Sequence, residues 1–207
     1  MGEKLADGAD LEGAEALNAS PAPPILLAST SPQRRVILAQ LGLPFEVVAP
    51  GYEESPEGDP LEHAIGKARS VSGRAGDRPV LGVDTIVSRG GRVFGKPGSA
   101  DEAEAMLEAL AGRTHEVVSG LCLLAPGWEE ARLATTLVTF RPLTSRDLGA
   151  YVASGEWEGR AGGYAIQGLG AALVERVEGD YLNVVGLPAA LLVSLLATRF
   201  PGLYGYG

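Results

Sequence analysis

The segment Ser29-Thr30-Ser31-Pro32-Gln33-Arg34-Arg35 places two seryl hydroxyls and two guanidinium groups within one short stretch. It follows the apolar run Ile25-Leu26-Leu27-Ala28, which reads as a buried strand. Serine before proline is a natural helix start, with Pro32 at the first helical position. Strand, loop and helix in that order can build an anion site. The first backbone N–H groups of a helix are unpaired, and its dipole favours negative charge. Ser29 and Ser31 add hydroxyl donors. Arg34 and Arg35 add forked donors suited to phosphate oxygens. The same residues would also serve as a capped helix with two solvated arginines, and the segment alone does not separate the two readings.

Asp84 follows a second apolar run, Pro79–Val83. A carboxylate at a strand end often faces the site of an α/β protein, where it can hold Mg²⁺ or accept a proton from water. It could equally be a turn-forming aspartate. Glu53 and Glu54 read as loop acids unless a second metal ligand is needed. Lys67 in a helix and Lys96 in a Gly-Lys-Pro turn are candidate point charges for phosphate. Three familiar motifs fail. Gly90–Lys96 matches a Walker A loop, but Pro97 stands where Ser or Thr should bind Mg²⁺. Gly168-Leu169-Gly170 lacks the third glycine of a dinucleotide fingerprint. A GxSxG nucleophile elbow is absent, which argues against a serine hydrolase.

The elements that must position these groups alternate between strands and helices. Strands are expected over Ile25–Ala28, Phe45–Val48, Pro79–Val83 (ending at Asp84-Thr85 and continued by Ile86–Ser88), Glu116–Ala125, Glu130–Phe140 and Ala171–Val177. Helices are expected over Gln33–Leu41, Pro60–Gly73, Ala100–Leu110, Thr144–Ser154 and Pro188–Phe200. Ser99 caps the third of these, and Asp101 and Glu102 suit its N-terminus. Arg89-Gly90-Gly91-Arg92 is a hairpin turn. The interleaving predicts an α/β fold with a mixed sheet. Residues 1–23 are expected as a disordered tail, 24–200 as the folded domain and 201–207 as a C-terminal tail.

The chain has 207 residues, 45% of them apolar, enough for a sizeable core. Its formal net charge is −9. Five acids against one base in residues 1–20 account for −4, leaving −5 for the rest. Such a field disfavours nucleic acid as a partner. No window approaches the ~18 uncharged apolar residues of a membrane helix. The N-terminus lacks the apolar core of a secretory signal, so a cytoplasmic location is expected. Cys122, the single cysteine, lies in an apolar run and is expected to be a buried structural thiol. His63 and His115 alone do not make a zinc site.

In this order, the segments resemble the Maf family of nucleotide pyrophosphatases. The resemblance rests on Leu27–Arg35, Gly51-Tyr52-Glu53-Glu54, Gly66-Lys67-Ala68, Gly82–Val87, Gly95-Lys96-Pro97, Leu110–His115, Ala161–Gly168 and Val184–Pro188. It implies a long mixed sheet with flanking helices, two lobes and a central cleft, like that of the inosine-triphosphate pyrophosphatases. It implies hydrolysis of a nucleoside triphosphate to the monophosphate and pyrophosphate with Mg²⁺ or Mn²⁺, in a homodimer. Asp84 matches the family's proton acceptor and Glu54 its second acidic residue, the two together holding metal. Ser29, Ser31, Arg34, Lys67 and Lys96 match its phosphate-binding groups. Gln33, Thr85 and Gln167 match its specificity positions. Asp84-Thr85 and Ile166-Gln167-Gly168 are similar to the branch acting on dTTP and UTP. Gln33 departs from it, since that branch usually carries arginine there, and Ser29–Pro32 also resembles the branch acting on 7-methyl-GTP. A nucleotide-binding regulator of cell division is the non-enzyme alternative, but it would not need Asp84 and Lys96 together.

Overall fold

The computed structural model describes residues 22–55 and 58–206. The tail expected over residues 1–23 lies, but for its last two residues, outside them. Strand β1 (Ile25–Ala28) is buried at every position. It runs parallel to β2 (Phe45–Val48) on one side and to β3 (Val80–Arg89) on the other. A strand flanked by neighbours and covered on both faces needs an unbroken apolar run, and Ile-Leu-Leu-Ala supplies one. Beyond β3 the sheet turns antiparallel, through β5 (Thr114–Ala125), β6 (Trp128–Phe140) and β7 (Val174–Glu178). The short β4 (Arg92–Phe94) folds back on the end of β3 and completes a mixed seven-stranded sheet.

β3 decides where the cleft opens. Val80–Gly82 pair with β1, and Val87–Arg89 pair with β4. Between them Val83–Ile86 have no strand on that edge, although β5 pairs with Val80–Ser88 along the opposite edge. Asp84 therefore sits within a continuous strand, at a gap in the sheet, and not at a strand end as its sequence suggests. β1 stops at Ala28, so Ser29–Ser31 leave the sheet beside that gap.

Three helices cover this half of the sheet. α1 (Pro32–Gln40) and α6 (Ala189–Arg199) bury Ile37, Leu38, Leu192 and Leu196 against Leu81, Val83, Leu121 and Leu123. α2 (Pro60–Val71) packs Ala64, Ala68 and Val71 on the other face, against Leu26, Val80 and Cys122. Its backbone lies directly on the sheet. A Cβ at Gly82 would collide with the Ala64 carbonyl oxygen, and one at Gly120 with the Pro60 carbonyl. These two glycines allow the close approach that brings α2 side chains to β3. A second core gathers α3 (Ala100–Leu110) and α4 (Ser145–Ala153) around Val117, Val138 and Phe140, so the long strands carry two lobes.

Other segments depart from the sequence reading as well, and Ala171–Leu173, expected as strand, belong to a 3₁₀ turn before β7. Tyr181–Val185 forms a short helix, α5, capped by the Asp180 carboxylate, where no element was expected. The expected C-terminal tail folds back on the domain through residue 206. Tyr204 is buried and its hydroxyl donates to the Pro23 carbonyl at 2.8 Å, while that of Tyr206 donates to the Leu41 carbonyl at 3.0 Å. Cys122 is fully buried. No helix among the described residues is long and apolar enough to cross a membrane.

Candidate active site

Side chains alternate along β3, so Asp84 faces α2 and Thr85 faces α1. Lys67 and His63 stand one helical turn apart on the buried side of α2. The Lys67 ammonium donates to Asp84 Oδ1 at 2.6 Å and reaches Glu54 Oε1 at 2.7 Å. His63 Nδ1 lies 3.3 Å from Asp84 Oδ2. Burial by itself would raise the pKa of Asp84. The Lys67 charge and hydrogen bond, the charge of Arg34 and the His63 bond outweigh it and hold the carboxyl below its ordinary value. Asp84 is thus an ionised acceptor throughout the neutral range.

On the α1 side Arg34 is buried and tied in three directions. Its Nε donates to the Gly186 carbonyl at 2.9 Å, one terminal nitrogen to Ser29 Oγ at 2.9 Å, and the other to Thr85 Oγ1 at 3.4 Å. Burial lowers its pKa, with Asp84 and Glu54 working the other way. The Gly186 carbonyl is in place because α5 is pinned to the sheet. Asn183 donates there to the Val117 carbonyl at 3.0 Å and to Thr136 Oγ1 at 3.1 Å. Arg35 is exposed and outside the cleft lining, the solvated arrangement that the sequence left open beside the phosphate site. No side chain caps α1, so its first amides remain open to an anion. The Ser31 N–H bonds Ser29 Oγ, and the Ser31 hydroxyl bonds Gln33 Oε1 at 3.1 Å.

These groups share one cleft of about 680 Å³. Ser29, Ser31, Gln33, Arg34, Glu54, Lys67, Asp84, Thr85, Lys96 and Gln167 all line it, as do His63 and Arg160, which sequence reasoning missed. Glu53 is exposed and outside the lining. His63 had a visible signal, since it precedes Lys67 by four residues and so shares its helix face. Thr85 is brought in, but its hydroxyl is already engaged, at 2.8 Å from Ser119 Oγ. Gln33 and Gln167 also border an adjoining apolar hollow of about 310 Å³ walled by Val36, Tyr181 and Leu182.

Donor chemistry at the centre suits a divalent cation. Glu54, His63 and Asp84 each offer an atom within 4.8 Å of the others. Two carboxylates and an imidazole form a set that takes Mn²⁺ readily, and Mg²⁺ when water completes the shell.

The comparisons with known proteins point the same way. Residues 24–199 match the family model described as Maf-like protein. A dTTP/UTP pyrophosphatase of Deinococcus radiodurans is 46% identical over 196 residues, covering 91% of this chain and 98% of its own. Proteins of the same name from Nitratidesulfovibrio vulgaris and Moorella thermoacetica are 47% and 49% identical, over 85% and 84% of this chain and 88% and 93% of their own. With the match running from β1 to the end of α6, the chain belongs to the Maf family.

Proposed function

We propose that this chain hydrolyses dTTP and UTP to the nucleoside monophosphate and pyrophosphate. One observation carries the reading: the ionised Asp84, clamped by Lys67 and His63 in a gap of the sheet, opens on a cleft lined with phosphate-binding side chains. The names of the curated relatives support the choice of base and product.

In the proposed reaction a water oxygen attacks the α-phosphorus. The bond from that phosphorus to its bridging oxygen breaks, and the electron pair leaves with pyrophosphate. Asp84 accepts a hydrogen bond from the water, aims it, and takes its proton as the new P–O bond forms. Its lowered pKa makes it a weak base, so orientation is its larger contribution. The proton then passes to solvent. Ser29, Ser31, Arg34, Lys67 and Lys96, with the open amides of α1, oppose the charge that builds on the phosphate oxygens. Glu54, His63 and Asp84 would hold Mg²⁺ or Mn²⁺. The ion, when bound, supplies further positive charge against those oxygens.

Gln33 and Gln167 stand where the cleft meets the apolar hollow, and in this reading the base lies there. A carboxamide offers a base edge both a donor and an acceptor. Thr85 acts on specificity through Arg34, since its hydroxyl is engaged. A homodimer and a cytoplasmic location complete the proposal. The first is supported by the family resemblance, the second by a single buried cysteine.

The test is a panel of canonical and modified triphosphates with Mg²⁺ or Mn²⁺, scoring pyrophosphate against orthophosphate. Pyrophosphate from dTTP and UTP is expected. Faster turnover of 7-methyl-GTP would reassign the base. Orthophosphate as the only primary product, or binding without turnover, would refute the reaction.

A further inference from the structure

Arg160 opens the segment Ala161–Gly163 and lines the cleft. Its Nε is buried and meets no acceptor among the described residues. A buried charged N–H left unpaired is costly, so such a group in a cleft wall calls for an acceptor that arrives with a ligand. By contrast, Arg69, Arg78 and Arg141, outside the cleft, each hold a carboxylate.

The position of Arg160 is tied to that of Lys96. The Gly162 N–H donates to the Gly95 carbonyl at 3.0 Å. Gly162 has φ +71°, and a Cβ there would press on Val87 at 3.0 Å. Gly163, also at φ +71°, lies against Pro97. Glycine alone meets both demands at Gly162 without strain, so the Arg160 segment is seated on the Gly95–Pro97 turn. Two cation-bearing segments are fastened together along one wall.

Charge balance says what they would hold. Lys67 is already matched by Asp84 and Glu54, which also face Arg34. A triphosphate brings about four negative charges. The terminal phosphates therefore need cations outside that inner cluster. We propose that Arg160, together with Lys96, grips the β- and γ-phosphates and thus the departing pyrophosphate. The inference rests on the pyrophosphatase reading above. The forked guanidinium offers two parallel bonds to phosphate oxygens, where Lys96 offers a point charge.

The test uses the intact protein and two inhibitors, inorganic pyrophosphate and dTMP, with binding followed by calorimetry. Arg160→Met should weaken pyrophosphate binding roughly 10- to 100-fold and leave dTMP within about twofold. Arg160→Lys should recover most of the loss, and KM for the triphosphate should rise in step with the pyrophosphate constant. Unchanged pyrophosphate binding in R160M, or an equal loss of dTMP binding, would overturn the assignment. So would a lysine variant as weak as the methionine one with the same drop in melting temperature, because that marks a packing role. If R160M fails to fold, Arg160→Gln takes its place. Failure of the underlying reading looks different: the wild-type protein then releases no pyrophosphate from any triphosphate, whatever Arg160 does.

Discussion

The two walls of the cleft are built on opposite plans. The inner wall, where Arg34, His63, Lys67 and Asp84 meet, is buried and cross-tied, each polar group already bonded to a neighbour. Lys96, Gln167 and Arg160 on the outer wall are exposed or half-buried, and none is held by a carboxylate among the described residues. The inner groups are organised before substrate arrives, so little reorganisation remains for the chemical step. In the proposed reaction the outer groups gain their partners only from the phosphates and the base. Substitutions inside should therefore strike turnover and stability, and those outside should strike binding.

The largest effect is expected at Asp84. Asp84→Asn keeps the shape but loses the charge, and should cut kcat by roughly 1000-fold or more with an unchanged circular dichroism spectrum. Normal turnover in that folded variant would remove the inner wall from the mechanism. Lys67→Met should lower kcat/KM by roughly 100-fold and also reduce the melting temperature, since Asp84 stays buried with its nearest cation gone. Activity lost without any change in melting temperature would contradict the cross-tied picture.

A pH prediction concerns the support beneath the outer wall. His115 is buried, its Nε2 lies 2.9 Å from the hydroxyl of Tyr164, and Tyr164 lines the cleft. Burial lowers the His115 pKa from 6.5 to about 4. The unfolded chain thus binds a proton that the folded one refuses. Stability from this group is fully present above pH 6.5 and is lost as pH falls toward about 4, by about 3 kcal/mol. Thermal unfolding across that range should show the loss in the wild type, and His115→Gln should flatten it. An equally steep curve in the variant would assign the acid sensitivity elsewhere.

Smaller effects are expected at the metal and the base. His63→Leu removes the one nitrogen donor and should weaken Mn²⁺ binding by roughly 10-fold, with less effect on Mg²⁺, as followed by calorimetry or electron paramagnetic resonance. Equal losses for both ions would argue that His63 only steadies Asp84. Gln33→Arg restores the residue the pyrimidine branch usually carries and should shift the ratio of dTTP to 7-methyl-GTP turnover by a few-fold. An unchanged ratio would take Gln33 out of base recognition.

Much of this protein was legible from local pattern. The apolar run Ile25–Ala28, the Ser-Pro helix start, the Gly90-Gly91 hairpin and the capped helix after Ser99 are signals contained within a few residues, and the structure carries each of them. Short-range sterics and hydrophobic periodicity decide such elements, so no distant partner is needed to read them. α5 was not legible. Five residues are too few for a periodic pattern, and the helix is held by Asn183 bonds to strands more than forty residues away.

For the candidate site the division is sharper. By itself the sequence determined which groups are available and their order, and the ordered segments sufficed to suggest the phosphate loop, Asp84, Lys67 and Lys96. Only the tertiary structure decided how those groups are used. It placed Asp84 in the middle of a strand, opened the sheet beside it, and laid α2 on Gly82 and Gly120 so that His63 and Lys67 meet one carboxylate. It turned Arg35 away and left the Arg160 guanidinium waiting in the opposite wall. The reason is physical. Whether a charged side chain is solvated, paired or poised depends on burial and on partners distant in the chain, and both are properties of the packed molecule.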